Sequence, residues 1–302
     1  MRRFLPGSLA VGQTDGRRND RQEGFVLAEI LKAVLFGVVE GITEWLPISS
    51  TGHMILLEEF VQLEVTPEFW SMFLVVIQLG AIMAVVMLYW NRIFPFRFGG
   101  GSLIRKDVFS MWVKVVVGCI PAVIIGLPFD DLFEELFYNY WSIAIALIVF
   151  GIAFIVIENR NRRQKPRMKT IGQITLPVAF IIGIFQLIAG IFPGTSRSGS
   201  TIVGALLLGV SRTAAAEFTF FMAIPVMFGA SLLKIVKFAM EGVEVSGMEW
   251  GILATGCVVA FLVSVFVIRF LMDYIKRHNF KVFAWYRIVL GVLVLAYFML
   301  VH

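Results

Sequence analysis

Apolar residues along this chain fall in long unbroken runs, not at the three-to-four spacing of a helix with one wet face. Phe69–Trp90, Ser142–Ile157, Phe218–Phe238 and Ile252–Phe270 are the clearest. Each approaches or exceeds the ~20 residues that an α-helix needs to cross a bilayer core. Reading these runs against Gly, Pro and polar breaks predicts spans near 69–90, 109–128, 140–157, 214–238, 249–271 and 282–300. Two further apolar stretches, Ala28–Phe60 and Ile171–Val210, are interrupted in the middle. The first break is Pro47-Ile-Ser-Ser-Thr-Gly52 and the second is Pro193-Gly-Thr-Ser-Arg-Ser-Gly199.

Composition agrees with this pattern. Of 302 residues, 59% are hydrophobic and 16% charged, against about 25% charged in ordinary soluble domains. A soluble fold could not cover its surface with so few polar groups, and disorder requires the opposite composition. The expected class is an all-α integral membrane protein. The net charge of +5 sits in short loops between apolar runs, where it acts as a topology signal, so no nucleic-acid partner is expected. Cys119 and Cys257 lie inside apolar segments without metal-type spacing and read as small hydrophobes. Residues 1–24 are polar and lack the apolar stretch of a signal peptide. They read as a flexible tail before a single membrane domain at 25–302.

The two interrupted stretches resemble each other. The run from Gly37 to Ser50 lies over the run from Gly183 to Ser196 at a constant offset of 146. Glu68-Phe69 and Gly80-Ala81 lie over Glu217-Phe218 and Gly229-Ala230 at 149. This indicates a duplication, with one repeat over about 28–157 and the other over about 171–300. The basic loops Asn91–Lys106, Glu158–Thr170 and Asp273–Lys281 fall on one side, as the positive-inside rule asks, only if each interrupted stretch enters and leaves on the same side. The predicted architecture is therefore an inverted repeat, each half one re-entrant helical hairpin plus three transmembrane helices. The first hairpin then enters from the outer side and the second from the cytoplasmic side. The tail at 1–24 lands outside despite its excess of arginine.

Irregular backbone at membrane depth survives only where protein buries it or it lines a polar cavity, so the two hairpin tips should meet near the midplane. Ser49, Ser50 and Thr51, with Thr195, Ser196 and Ser198, are N-cap types for the outbound helices. Two helix N-termini aimed at one cavity make an anion site. Ionisable residues concentrate there: Glu40 and Glu44 one helical turn apart, His53, and Arg197 with its phosphate-matching fork. Ser50 and His53 are three residues apart, so the imidazole is expected to reach the hydroxyl. Each feature alone has a plainer reading: a serine bonding back to a carbonyl, a hydrogen-bonded structural histidine, an ion pair between hairpins, or Gln78 and Gln186 as interhelical bonders. Their convergence at paired breaks inside lipid points to a functional site. Two carboxylates beside an anion imply a divalent cation, Mg²⁺ or Ca²⁺, on Glu40 or Glu44.

The segment from Glu40 to His53, Glu40-Gly-Ile-Thr-Glu44-Trp-Leu-Pro-Ile-Ser-Ser-Thr-Gly-His53, resembles the first signature of the undecaprenyl-diphosphate phosphatases, the bacitracin-resistance family. Pro193-Gly-Thr-Ser196-Arg197-Ser198-Gly-Ser-Thr201 resembles the second. Val76-Ile-Gln78-Leu-Gly80 and Gly209-Val-Ser-Arg212 resemble further shared blocks. The resemblance covers about residues 28–300. It implies hydrolysis of undecaprenyl diphosphate to undecaprenyl phosphate and inorganic phosphate, with a divalent cation, at the outer face of the bacterial inner membrane, recycling the lipid carrier of cell-wall synthesis. It also implies that Glu40, Glu44, Ser50, His53 and Arg197 are catalytic, and that Ser49, Thr51, Gln78, Ser196, Ser198 and Thr201 bind substrate. The nucleophile is open among Ser50, His53 and a Glu-activated water. Expected partners are the diphosphate lipid and the bilayer, and a homodimer is compatible with the sequence. The alternative class is a transporter or flippase for prenyl phosphate lipids, since broken helices in inverted repeats are also what carriers use.

Overall fold

The computed structural model describes residues 12–97, 103–162 and 164–301. Among them the chain is helical throughout, with no strand beyond two isolated bridges. The helices are α1 (Gly12–Thr43), α2 (Ser50–Phe60), α3 (Pro67–Leu88), α4 (Trp90–Ile93), α5 (Lys106–Pro121), α6 (Asp130–Phe137), α7 (Tyr140–Asn161), α8 (Leu176–Ile191), α9 (Arg197–Leu207), α10 (Arg212–Met240), α11 (Gly247–Arg277) and α12 (Lys281–Val301). Among the described residues six helical stretches are long and apolar enough to cross a bilayer, and they coincide with the six predicted spans. This is an integral membrane protein. The span of α5 is carried to Phe129 by a wide turn at Ala122–Gly126 and a tight one at Leu127–Phe129. Pro121, which lacks a backbone donor, sits where the regular helix stops.

Helix α1 begins at Gly12, inside the segment read as a tail, and runs without a break into the first apolar stretch. No proline lies between Gly12 and Thr43, so the apolar turns beginning at Phe25 extend backward at one hydrogen bond per residue. Residues 1–11 lie outside the described residues.

The surface is apolar where a soluble protein's would be polar. Val258, Leu262, Phe266 and Phe270 form an exposed stripe at every fourth position of α11, and Val289, Val292, Leu293 and Leu300 are exposed along one face of α12. Inside, glycines bring helices into close contact. A Cβ on Gly80 of α3 would collide with the Cys257 carbonyl of α11, and one on Gly183 of α8 would collide with the Gly118 carbonyl of α5. The α7–α12 contact is reciprocal. Gly151 abuts the Ala284 carbonyl and Gly291 abuts the Ala144 carbonyl, each at 2.9 Å from the added Cβ. Such an exchange of partners requires antiparallel helices.

The interrupted stretches form hairpins. The eleven residues of α2 and of α9 give each about 16 Å, roughly half of a ~30 Å hydrocarbon core. The base of the first hairpin is tied by Lys32 Nζ to the Gln62 carbonyl (2.7 Å) and by the Glu64 amide to Glu29 (2.9 Å). The base of the second is tied by the Arg167 and Met168 amides, which both donate to the Gly209 carbonyl. Each hairpin thus returns to the level at which it began.

Candidate active site

Both tips are built by the same local device. Helix α1 stops at Thr43 and α8 at Ile191, and in each case proline follows within four residues. The outbound helices are capped by Ser49 and Ser196, whose hydroxyls accept from the amides of Gly52 (3.3 Å) and Gly199 (3.1 Å). Among the described residues these two serines are the only non-glycine residues with positive φ, at 77° and 70°. Such backbone is costly for a residue with a side chain and persists only where the surroundings over-determine it. The caps also move the register. The offset of 146 that aligns Pro47 with Pro193 would pair Ser50 with Ser196, whereas the structure pairs Ser49 with Ser196. The second tip holds one more residue after its proline, and Gly194 (φ 89°) packs there against the backbone of Ile143.

The tips touch. Arg197 Nη2 donates to Glu44 Oε1 at 2.8 Å, and the Ser50 hydroxyl donates to Glu44 Oε2 at 2.6 Å. The Ser198 hydroxyl lies 3.1 Å from the Glu44 carbonyl and 3.2 Å from the Ser196 hydroxyl. Arg197 Nη1 donates to the Thr219 carbonyl of α10, and the Thr201 hydroxyl, itself donating to the Arg197 carbonyl, meets Thr219 Oγ1 at 2.9 Å. Trp45 fixes the first tip against α10 by an edge-to-face contact with Phe220. Glu44, Ser50, Arg197, Ser196 and Ser198 therefore form one connected cluster, with Thr201 bracing Arg197 from behind.

One expected contact is absent. His53 does not bond to Ser50. Its Nδ1 faces the Ser49 carbonyl at 2.6 Å and its Nε2 faces the Tyr286 hydroxyl at 2.7 Å, with the two rings stacked. One turn after the cap, the α-helical register carries the imidazole to the cap carbonyl, while the Ser50 hydroxyl turns back to Glu44. Gln78 bonds only to the Leu74 carbonyl of its own helix, and Thr51 makes no side-chain hydrogen bond among the described residues. Neither is joined to the cluster.

Two residues of α12 complete the site, and the sequence reading passed over both. Tyr286 holds His53. Arg287 is fully buried and donates to the carbonyls of Pro47 (3.1 Å), Gly194 (3.0 Å) and Thr195 (2.7 Å). A single guanidinium thus satisfies carbonyls from both tips. Among the described residues it makes no ion pair, so its positive charge adds to that of Arg197 and the two helix N-termini. The available signal was an arginine inside the apolar run at 282–300.

The environment also bears on a cation. Among the described residues no three His, Cys, Asp or Glu side chains converge as a metal cage. Glu40 is buried, however, and its Oε1 has no hydrogen-bond partner. A Mg²⁺ ion, which binds through one or two carboxylates plus phosphate oxygens and keeps its waters, fits this donor set. A cation needing an all-protein cage does not.

The sequence profile described as Bacitracin resistance protein BacA matches residues 33–293. The chain belongs to this family. It is 62% identical over 273 residues to "Undecaprenyl-diphosphatase 1" of Clostridium acetobutylicum, covering 90% of this chain and 98% of that one. It is 63% identical over 272 residues to "Undecaprenyl-diphosphatase" of Desulfitobacterium hafniense, covering 90% and 97%. With a protein of the same name from Enterococcus faecalis it shares 56% over 269 residues, covering 88% and 96%. The BacA profile thus spans the second hairpin, the first from residue 33 onward, five of the six candidate spans in full and most of α12.

Proposed function

We propose that this protein is an undecaprenyl-diphosphatase that releases inorganic phosphate from undecaprenyl diphosphate and leaves undecaprenyl phosphate. The observation that carries this reading is the Ser50–Glu44–Arg197 chain, set between two helix N-termini at membrane depth. Phosphoryl transfer asks mainly for positioning and charge stabilisation, and the cluster supplies both. Its relatives' names and the family membership supply the substrate.

In this reading the diphosphate lies across the two outbound N-termini while the prenyl chain stays between helices in lipid. Phosphate oxygens compete with Glu44 for the Arg197 fork, leaving the carboxylate to accept the Ser50 proton. The Ser50 oxygen then bonds to the terminal phosphorus as the bridging P–O bond breaks, and undecaprenyl phosphate departs. Water subsequently cleaves the phosphoserine. Geometry favours Glu44 over His53 as the group that takes the Ser50 proton, because both imidazole nitrogens are already engaged. Glu40 and Glu44 would hold a divalent cation, which supplies shielding of phosphate charge when bound.

We also infer that the two halves are inverted repeats, supported by the matched caps at Ser49 and Ser196, the reciprocal α7–α12 glycine contacts and the two hairpins. With the basic loops placed in the cytoplasm, the first hairpin enters from the outer face, and the site is read as opening to the periplasmic side of the inner membrane. Meeting re-entrant tips also suit a carrier of prenyl phosphate lipids. The test separates the two. Purified protein in detergent micelles with undecaprenyl diphosphate and Mg²⁺ should release inorganic phosphate, and Glu44→Gln should not. Lipid binding without phosphate release would favour the carrier.

A further inference from the structure

A second polar site lies at the base of the second hairpin, behind its tip. Helix α10 meets Arg197 at Thr219 and starts seven residues earlier at Arg212, about 10 Å along its axis. There the loop after α7 folds over the corner between α9 and α10. The amides of Arg167 and Met168 donate to the Gly209 carbonyl (2.8 and 3.1 Å), and the Ser211 amide donates to the Met168 carbonyl (2.8 Å). Gly209, at φ 85°, makes the corner possible.

Under this strap is a cavity of about 450 Å³ whose lining includes Arg160, Lys165, Arg167, Arg212 and Lys276 and a single acid, Glu158. That volume falls within the usual range of small-molecule sites, about 300–1,000 Å³. Glu158 is buried and already consumed: both its oxygens hold Arg212, and Oε1 also accepts from the Phe280 amide. Lys276 is shared with Asp273. Arg160, Lys165 and Arg167 have no ion pair among the described residues. The cavity thus holds an excess of positive charge, beside the amides of the α10 N-terminus. All three are exposed to water, and the backbone strap sets them around one concavity.

We propose that this cavity is a second anion site, which binds the phosphate group of a phosphomonoester, lipid-borne or free. A phosphomonoester carries roughly two negative charges near pH 7 and three strong acceptor oxygens, matching three unpaired cations better than a diester or a carboxylate does. Leu206, Leu207, Leu208 and Ile275 also line the cavity, so a hydrocarbon tail can leave it along an apolar wall.

The experiment uses the full chain in neutral detergent with Arg197→Ala, which disables the site at the tips. Equilibrium dialysis measures binding of inorganic phosphate, of dioctanoyl phosphatidate and, as the diester control, of dioctanoyl phosphatidylcholine. Expected are saturable 1:1 binding of at least one phosphomonoester probe, no binding of the control, and a loss of roughly tenfold or more in an R160Q/K165Q/R167Q variant. Phosphatidate binding much tighter than phosphate identifies a lipid headgroup as the source, and equal affinities identify the free anion. The charge-conserving R160K/K165R/R167K variant should bind as the parent does. No phosphomonoester binding, binding undiminished in the glutamine variant, equal binding of the control, or equal loss in both triple variants would each overturn the proposal.

Discussion

Ser49 and Ser196 share a left-handed backbone conformation and a cap bond to the amide three residues on, although 146 intervening residues separate them. At each position two effects oppose. The hydroxyl stabilises the helix start, and the side chain strains the backbone. Alanine keeps the strain and loses the cap, at a cost of about 1 kcal/mol, whereas glycine loses the cap and relieves the strain. Thermal unfolding of purified variants in detergent should therefore rank serine above alanine and glycine above alanine at both positions. Alanine matching serine would show that the caps contribute nothing.

Glu44→Gln keeps the shape of the side chain and removes its charge. It weakens the grip on Arg197 and withdraws the acceptor for the Ser50 proton. Phosphate release should fall by roughly 10²–10⁴-fold, beyond any loss of folded protein caused by leaving Arg197 without its carboxylate partner. Rapid-quench labelling should trap phosphate on Ser50 in the parent and none in Ser50→Ala.

Tyr286→Phe removes one hydrogen bond from His53 and leaves the ring stack in place. A net hydrogen bond is worth about 1 kcal/mol, so the rate should fall about fivefold, far less than for Glu44→Gln. A loss as large as that for Glu44→Gln would put His53 at the centre of proton transfer and displace Glu44 from that role.

Gly80→Ala and Gly229→Ala form a matched pair. The first drives a methyl group into the Cys257 backbone, while the second meets nothing within 4 Å. Alanine is intrinsically about 1 kcal/mol better than glycine inside a helix. Gly229→Ala should be neutral or stabilising, and Gly80→Ala should lower the unfolding midpoint and the yield of monodisperse protein. Identical behaviour of the pair would deny the close approach of α3 and α11.

The architecture was legible in the sequence because the bilayer demands it. Long apolar runs and two proline breaks were enough to place the spans and the two interrupted stretches, since lipid leaves the backbone so few choices. The pairing of Glu44 with Arg197 followed from bringing the breaks together. What escaped was set by side-chain direction. Ser50 and His53 look like partners by spacing, yet each turns to a different neighbour. Tyr286 and Arg287 lie between 92 and 240 residues from the groups they hold, and no local pattern links them to the tips. Residues 12–24 look like a tail by polarity, but α1 runs through them.

Arg287 also imposes an order on biogenesis. The carbonyls of Pro47, Gly194 and Thr195 find their shared donor only on the last helix of the described chain, when most of the polypeptide is already in the bilayer. Both signature segments are translated earlier, so assembly of the hairpin tips waits on the final segment. A product truncated before α12 would carry both signatures intact and still be inert.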